Sequence, residues 1–140
     1  MQDILLFVNH HLMLFSALAV ILVLLITLEG IKLKRGATRL SPARVTWLIN
    51  HAKAVVIDIR TPDAFLTGHI AGAISLPAVE LKTGLKKIEK FKAQPIVLTC
   101  ATGTDSPASA TFLTTQGFQV HILNGGIRAW READLPLIKK

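Results

Sequence analysis

The longest uninterrupted apolar segment of the chain covers residues 12–28 and contains no charged residue. As an α-helix it reaches about 26 Å, the short end of what crosses a bilayer core. A helix that is apolar on every side needs lipid or protein all round it, and the rest of the chain is too small to enclose it. We therefore expect residues 1–30 to form a single-pass membrane anchor.

A cleaved signal peptide is the competing interpretation of this segment. The residues before it include Asp3 but no Lys or Arg, whereas a signal peptide begins with positive charge. The apolar run is also too long, and no small-residue cleavage site follows it. These features favour a retained anchor.

Beyond the anchor, short apolar runs alternate with segments of helical spacing. Strands are predicted at residues 39–40, 54–59, 73–76, 96–98 and 118–123. Helices are predicted at residues 42–50, 62–67, 80–92 and 107–116, and after Gly126. Alternation of this kind predicts a parallel α/β sheet with helices on both faces.

The predicted helix at residues 80–92 combines an apolar stripe with many lysines. Its apolar residues are Leu81, Leu85, Ile88 and Phe91, and its lysines are Lys82, Lys86, Lys87, Lys90 and Lys92. We interpret it as an amphipathic helix that packs its stripe on the core and leaves the lysines in solvent. Contact of the lysines with lipid headgroups is the alternative.

Charge is distributed unevenly along the chain. All 16 basic residues lie beyond residue 30, and four of them, Lys32, Lys34, Arg35 and Arg39, follow the apolar run closely. The positive-inside rule then places the carboxyl-terminal part in the cytoplasm and the amino terminus on the outer side of the membrane. We expect an anchor at 1–30, a basic juxtamembrane linker at 31–38 and one domain at 39–140.

This basic excess bears on the expected partners. The bilayer would hold the amino-terminal helix, and anionic lipid headgroups would attract the basic linker. Aromatic residues do not interleave the basic ones as a nucleic-acid stacking surface requires, so we expect no nucleic acid.

The chain has one cysteine, Cys100, which directly follows the predicted strand at 96–98. A short loop with Gly103 comes next, and Ser106-Pro107 has the residue types of a helix start, with the serine hydroxyl as cap. Backbone N–H groups that converge at a helix start favour both a thiolate and a bound anion. A buried inert thiol remains the alternative, since a lone cysteine after an apolar strand is often one. A single cysteine also agrees with a reducing compartment.

Several motifs together give the chain, from about Thr38 to Pro136, a resemblance to a rhodanese-like domain. They occupy residues 55–60 (VVIDIR), 63–65 (DAF), 68–74 (GHIAGAI), 96–100 (IVLTC), 117–118 (GF) and 123–130 (LNGGIRAW). With its anchor, the whole chain is similar to the membrane-anchored bacterial members of that family. The resemblance implies a parallel sheet of about five strands and a cysteine that cycles between thiolate and persulfide.

The resemblance also implies roles for particular residues. Cys100 would be the nucleophile that takes sulfur from a donor such as thiosulfate and passes it to a thiol acceptor. The anion cradle would consist of Ala101, Thr102, Gly103, Thr104, Asp105 and Ser106. Many family members carry arginine where this chain has Asp105, and a carboxylate there is expected to oppose both donor binding and thiolate formation. The related cysteine phosphatases are disfavoured, because their loop is one residue longer and ends in arginine, where this chain has Ser106.

The other polar residues that the motifs contain are interpreted as structural. We expect Asp58 and Arg60 to pair or to bond loop amides near the strand end, and His69 to tie loops together instead of acting as a base. Trp47 and Trp130 are expected to pack in the core. The histidines lack metal-ligand spacing with Cys100, so neither a metal nor a cofactor is expected.

Two functions from different classes stay open. The first is a thiosulfate-type sulfurtransferase at the cytoplasmic face of the membrane. The second is a catalytically weak rhodanese-fold module that binds or scaffolds a membrane protein partner, an alternative motivated by Asp105 and the basic surface. The sulfur donor and acceptor are not specified by either.

Overall fold

The computed structural model describes residues 1–34 and 36–139. The chain divides into two compact units, and the second unit begins at Gly36. The first unit consists of helices α1 (Gln2–His10) and α2 (Leu12–Lys34), with a turn at His11 between them. Residues 12–30 of α2 have a mean hydropathy of 2.6 and no buried position, so this helix is long and apolar enough to cross a membrane.

Helix α2 continues past the predicted end of the anchor, through Lys34. Leucine and lysine are good helix formers, so the segment after Gly30 extends the helix where the sequence analysis places a linker. The side chains of Lys32 and Lys34, and the whole of Arg35, lie outside the part of the chain that the structure describes.

The second unit is built on a five-stranded sheet in the order β1-β5-β4-β2-β3, and every pair is parallel. The strands are β1 (Thr38–Leu40), β2 (Val55–Asp58), β3 (Ile74–Ser75), β4 (Ile96–Thr99) and β5 (Val120–Leu123). This confirms the predicted α/β class. Because all the strands are parallel, their carboxyl ends lie along one edge, where ligands bind in folds of this type.

The helices of this unit are α3 (Pro42–Ala52), α4 (Pro62–Thr67), α5 (Leu85–Ile88), α6 (Ser106–Thr115) and α7 (Gly126–Glu132). Helices α3 and α4 begin as predicted: the hydroxyls of Ser41 and Thr61 accept the backbone N–H three residues later, and proline follows each cap.

The sheet separates two apolar cores. The core on one face includes Ile57, Leu98 and Ile122 of the sheet, and α5 and α6 cover it with Ile88 and Leu113. The core on the other face includes Val56, Val97 and Leu123, covered by Val45 of α3 and by Ile127 and Trp130 of α7. Helices on both faces explain why β4 is apolar at consecutive positions.

The prediction of one continuous helix at residues 80–92 is wrong. The segment contains a 3-10 turn (Ala78–Glu80), the single turn of α5, and a second 3-10 turn (Glu89–Phe91). Gly84 lies at the break, and a Cβ there would collide with the side chain of Leu76, so backbone packing on the core interrupts the helix. Leu81 and Ile88 are nevertheless buried, and all five lysines are exposed.

The expected core position is also wrong for Trp47, which is 45% exposed. Its ring lies between the Arg44 guanidinium, 4.4 Å from the ring centroid, and the His51 ring, 4.7 Å away. The three residues share one outer face of α3, so the indole is covered by its helical neighbours instead of by the sheet. Trp130 is buried as predicted, and its Nε1 donates to the carbonyl oxygen of Pro136 at 3.1 Å.

Candidate active site

Cys100 immediately follows β4, the central strand of the sheet, at the carboxyl edge. Its side chain faces the core beneath α5 and α6, and the residue is only 2% exposed. The thiol is therefore held at the end of the central strand, beneath the segment that connects β4 to α6.

This connection, residues 100–106, is here called the cysteine loop. It folds back over the sulfur, so that the N–H of Gly103 donates to Cys100 Sγ at 2.9 Å. Gly103 has φ +86°, and a Cβ on it would lie 3.0 Å from the backbone nitrogen of Gly125. Only glycine combines this left-handed conformation with such close packing. Gly103 and Ser106 are buried, whereas Ala101, Thr102, Thr104 and Asp105 are exposed.

Burial raises the pKa of the Cys100 thiol, but polar groups of the cysteine loop outweigh it and lower the pKa below its ordinary value. The largest of them is the Ser106 hydroxyl, followed by the N–H groups of Asp105, Gly103 and Thr102. Donors that converge on one sulfur stabilise its anionic form. The geometry therefore favours a thiolate over a buried inert thiol.

The structure corrects the predicted role of Ser106. Asp105 occupies the cap position of α6 without a side-chain cap, and Ser106 is the first helical residue. The Ser106 hydroxyl is buried and makes no complete hydrogen bond with any described atom. It lies beside the sulfur instead, where it is the largest of the polar groups that lower the pKa of the Cys100 thiol.

The expected effect of Asp105 on the thiol is also corrected. Its N–H helps to lower the pKa of Cys100, and its exposed carboxylate is not among the causes of the shift. Solvent around an exposed carboxylate screens its repulsion of the sulfur. The acidic residue is therefore compatible with a thiolate, although it still places negative charge at the mouth of the site.

A second turn supports the cysteine loop from the side of α7. The N–H groups of Ile127 and Arg128 donate to the carbonyl oxygens of Cys100 and Ala101 at 2.9 and 3.1 Å. The backbone approaches closely because Gly126, with φ +60°, has no Cβ that would meet Ala101. The sequence analysis identified the glycines only as a motif, since nothing in their spacing shows that they contact the loop.

Asp58 and Arg60 form a network at the end of β2, separate from the cysteine loop, and the ring of His69 contacts Phe65 instead of either of them. Asp58 is fully buried and pairs with Arg60, whose Nη2 lies 2.6 Å from Oδ2 and 2.8 Å from the carbonyl oxygen of Gly68. The His69 ring stacks on Phe65 at 3.7 Å and lies 2.9 Å, at Nδ1, from the Phe65 carbonyl oxygen. No side-chain hydrogen bond between described residues joins this network to the cysteine loop.

The donor set of the site is suited to an anion and not to a metal. Within the described ranges, no three His, Cys, Asp or Glu side chains come together as metal ligands do. Backbone N–H groups and one hydroxyl surround the sulfur, so the site offers a charged nucleophile and hydrogen-bond donors for oxygen atoms of a small anion.

The sequence profile of the rhodanese-like domain matches residues 41–133, which include both the cysteine loop and the turn that supports it. The chain belongs to the rhodanese-like family. Protein YibN of Escherichia coli, which is uncharacterised, is 35% identical over 141 residues and 99% of each chain. The family match over residues 41–133 and the similarity to YibN over the whole length confirm the resemblance to the rhodanese-like family stated from the motifs.

Two further relatives match over a smaller share of the chain. The thiosulfate sulfurtransferase GlpE of Pseudoalteromonas translucida is 34% identical over 95 residues, which make up 67% of this chain and 89% of that protein. The crystal structure of a rhodanese-related protein from Thermoplasma volcanium is 29% identical with a TM-score of 0.68, and the match covers 74% of this chain and 99% of that one.

Proposed function

We propose that this protein is a membrane-anchored sulfurtransferase that carries sulfur as a persulfide on Cys100. The observation that carries the proposal is the Gly103 N–H that donates to Cys100 Sγ within a loop that lowers the pKa of the thiol. A thiolate is the form that attacks sulfur, and the same donors would stabilise the terminal sulfur of a persulfide. The similarity to thiosulfate sulfurtransferases over two thirds of the chain supports this chemistry.

The reaction would take place in two displacements at Cys100. The thiolate attacks the outer sulfur of thiosulfate, so that a sulfur–sulfur bond forms to Cys100 while the bond within thiosulfate breaks and sulfite leaves with the electron pair. A thiolate or cyanide acceptor then attacks the outer sulfur of the persulfide and releases Cys100 as a thiolate. Neither step needs a cofactor or a general base once the thiolate is present.

Intact mass measurement of the full-length protein in neutral detergent tests this proposal. After exposure to thiosulfate we expect the mass to rise by one sulfur atom and to return to its starting value after addition of cyanide. The Cys100→Ser variant should gain nothing. An unmodified wild-type protein after treatment with thiosulfate, polysulfide and cysteine persulfide would refute the proposal.

Asp105, the acidic residue of the cysteine loop, leads to a further prediction about the sulfur donor. The exposed Asp105 carboxylate repels a dianion such as thiosulfate, so Asp105→Arg should raise kcat/KM for thiosulfate about tenfold. A decrease would indicate that Asp105 recognises the natural donor or acceptor. Glu89→Arg, at an exposed position of the second 3-10 turn, is the control for a change in total charge.

We propose further that α2 crosses a bacterial inner membrane once, with the amino terminus outside and the second unit in the cytoplasm. The length and hydropathy of residues 12–30 support a span, and the positive residues that follow it support this orientation. A carboxyl-terminal epitope should resist protease added to spheroplasts and be digested in inverted membrane vesicles. Digestion in intact spheroplasts, or release of the domain into the soluble fraction, would contradict the topology.

A binding module at the membrane is the second candidate function. Residues 82–92 present five exposed lysines, and two of these lie over aromatic rings: Lys90 over Phe91 at 4.9 Å and Lys92 over Phe118 at 5.5 Å. Such a surface is complementary to an acidic face of a membrane protein. If this is the function, Lys82, Lys86, Lys87 and Lys90 changed together to Gln should abolish recovery of a cross-linked membrane protein, whereas Cys100→Ser should not.

A further inference from the structure

The cysteine loop contains no basic side chain, although an anionic donor would have to bind there. Its residues after Cys100 are Ala101, Thr102, Gly103, Thr104, Asp105 and Ser106. The backbone donors are already directed at the sulfur, and the one formal charge is the negative charge of Asp105. A cation that balances this charge has to come from another part of the chain.

Arg39 reaches the cysteine loop from the edge strand β1. Its Nη1 donates to the carbonyl oxygen of Gly103 at 3.4 Å, and the N–H of the same glycine donates to Cys100 Sγ. Gly103 therefore contacts both the guanidinium of Arg39 and the sulfur of Cys100. Strand β1 pairs with β5, with Arg39 opposite Ile122, so the sheet fixes where the arginine begins.

Two other arginines near this edge, Arg60 and Arg128, form ion pairs with carboxylates. Arg60 pairs with Asp58, and Nε of Arg128 lies 3.0 Å from Oε1 of Glu132. Among the residues that the structure describes, Arg39 is the one cation whose side chain bonds to the cysteine loop. It is exposed, and the single long bond to Gly103 leaves most of its five N–H donors available to a ligand.

We propose that Arg39 is the anion-recognition residue of this site: its guanidinium binds the oxyanion end of the sulfur donor while the outer sulfur faces Cys100. This rests on the proposed sulfurtransferase function and assigns its donor to the class of small oxyanions. Arg39 lies outside residues 41–133, the part that the family profile matches, so the charge absent from the cysteine loop is supplied by this chain's own edge strand.

Alkylation of the only cysteine with two reagents of similar size tests the role of Arg39 without any turnover. Iodoacetate is anionic and iodoacetamide is neutral, so the ratio of their rates reports the potential at the thiol, and access through the loop affects both alike. In the full-length protein in neutral detergent, Arg39→Gln should lower the iodoacetate to iodoacetamide ratio about fivefold. Arg39→Lys should keep most of it.

Lys53→Asn is the matched control. It removes one exposed positive charge just before β2, at the opposite edge of the sheet, and asparagine tolerates the left-handed conformation that Lys53 adopts. Its ratio should equal that of the wild type. Equal slowing of both reagents in Arg39→Gln would mean that Arg39 only holds the loop, and an unchanged ratio would mean that it does nothing; either result overturns the proposal.

The two proposals fail in distinguishable ways. If the wild type takes up sulfur from thiosulfate and Arg39→Gln has the same KM and the same alkylation ratio, the sulfurtransferase stands and the role of Arg39 is refuted. If no donor transfers sulfur to the wild type but the iodoacetate to iodoacetamide ratio falls in Arg39→Gln, the sulfurtransferase function and the assignment of a sulfur donor are refuted. The effect of Arg39 on anions at the thiol is then retained. A rise in KM for thiosulfate with kcat retained supports both.

Discussion

Replacement of Ser106 by alanine tests the central electrostatic feature of the site. The hydroxyl is fully buried, has no other described partner and is the largest of the groups that lower the pKa of Cys100. Because alanine removes one oxygen atom and keeps the helix, the substitution changes the environment of the sulfur with little effect on packing.

The expected size of the effect follows from the energy of one hydrogen bond to a charged group. Such bonds contribute about 1.5–3 kcal/mol, and sulfur is a weak acceptor, so the lower end applies. At about 1.4 kcal/mol for each pKa unit, Ser106→Ala should raise the pKa of Cys100 by about one unit. At a pH well below that pKa the thiolate fraction, and with it the rate of alkylation, should fall about tenfold.

The same reasoning predicts how the change in stability depends on pH. A thiol whose pKa is lower in the folded state stabilises the fold above the pKa of the unfolded chain, and this contribution is lost as the pH falls through the folded value. Ser106→Ala should therefore destabilise the protein at alkaline pH. At a pH below the folded-state pKa of Cys100, where the sulfur is protonated in both states, the loss of an unpaired buried hydroxyl should leave stability unchanged or higher.

Ultraviolet absorbance of the thiolate measures the pKa directly and does not require access to the 2% exposed sulfur. Ser109→Ala is the control, since Ser109 is buried on the same helix but is not among the causes of the shift. An unchanged pKa in Ser106→Ala, or an equal rise in Ser109→Ala, would refute the assignment of the hydroxyl as a donor to the sulfur.

Three further substitutions test the supports of the site and one half-buried histidine. Gly126→Ala should cost about 2 kcal/mol or more and raise the pKa of Cys100, because a Cβ there collides with the cysteine loop; denaturant unfolding and the absorbance titration measure both. Asp58→Asn should cost about 3 kcal/mol in the same unfolding assay by leaving Arg60 unpaired, with the pKa of Cys100 unchanged. Burial lowers the pKa of His121 in the folded state. Stability should therefore fall as the pH drops below about 6.5, because the histidine of the unfolded chain takes up a proton first. His121→Gln should weaken this pH dependence in unfolding curves recorded from pH 7 to pH 5.

The sequence was sufficient to predict the features that depend on local pattern. Buried strands, proline-initiated helices and a cysteine at a strand end are readable because each depends on neighbouring residues alone. The interruption at Gly84 was not predictable, because it arises from the packing of a distant side chain, Leu76, against the backbone. Trp47 was misplaced for a similar reason: a stack with Arg44 and His51 covers its ring on the outer face of the helix.

The details of the site depend on contacts between distant parts of the chain. The motif LNGGIRAW marks the turn, but only the sheet order brings Gly126 and the N–H of Ile127 to Cys100. Arg39 was interpreted as part of the basic region after the anchor, because its 64-residue separation from Gly103 carries no sequence signal. Ser106 was predicted to be the cap because serine is common at that position. The helix begins one residue earlier than predicted, with Asp105 as the cap, and the Ser106 hydroxyl lies beside the sulfur instead.

The site separates two electrostatic tasks that a single loop arginine would combine. Neutral donors, the Gly103 N–H and the Ser106 hydroxyl, act on the sulfur from buried positions, where neither solvent nor salt screens them. In the proposed function, Arg39 and Asp105, both exposed, would act on the approaching ligand in a screened environment. We therefore propose that thiolate formation depends on how the cysteine loop packs, whereas donor selection depends on two surface charges of opposite sign, Asp105 in the loop and Arg39 on the edge strand β1. A change at either charged position is expected to alter which donor binds while the reactivity of Cys100 is retained.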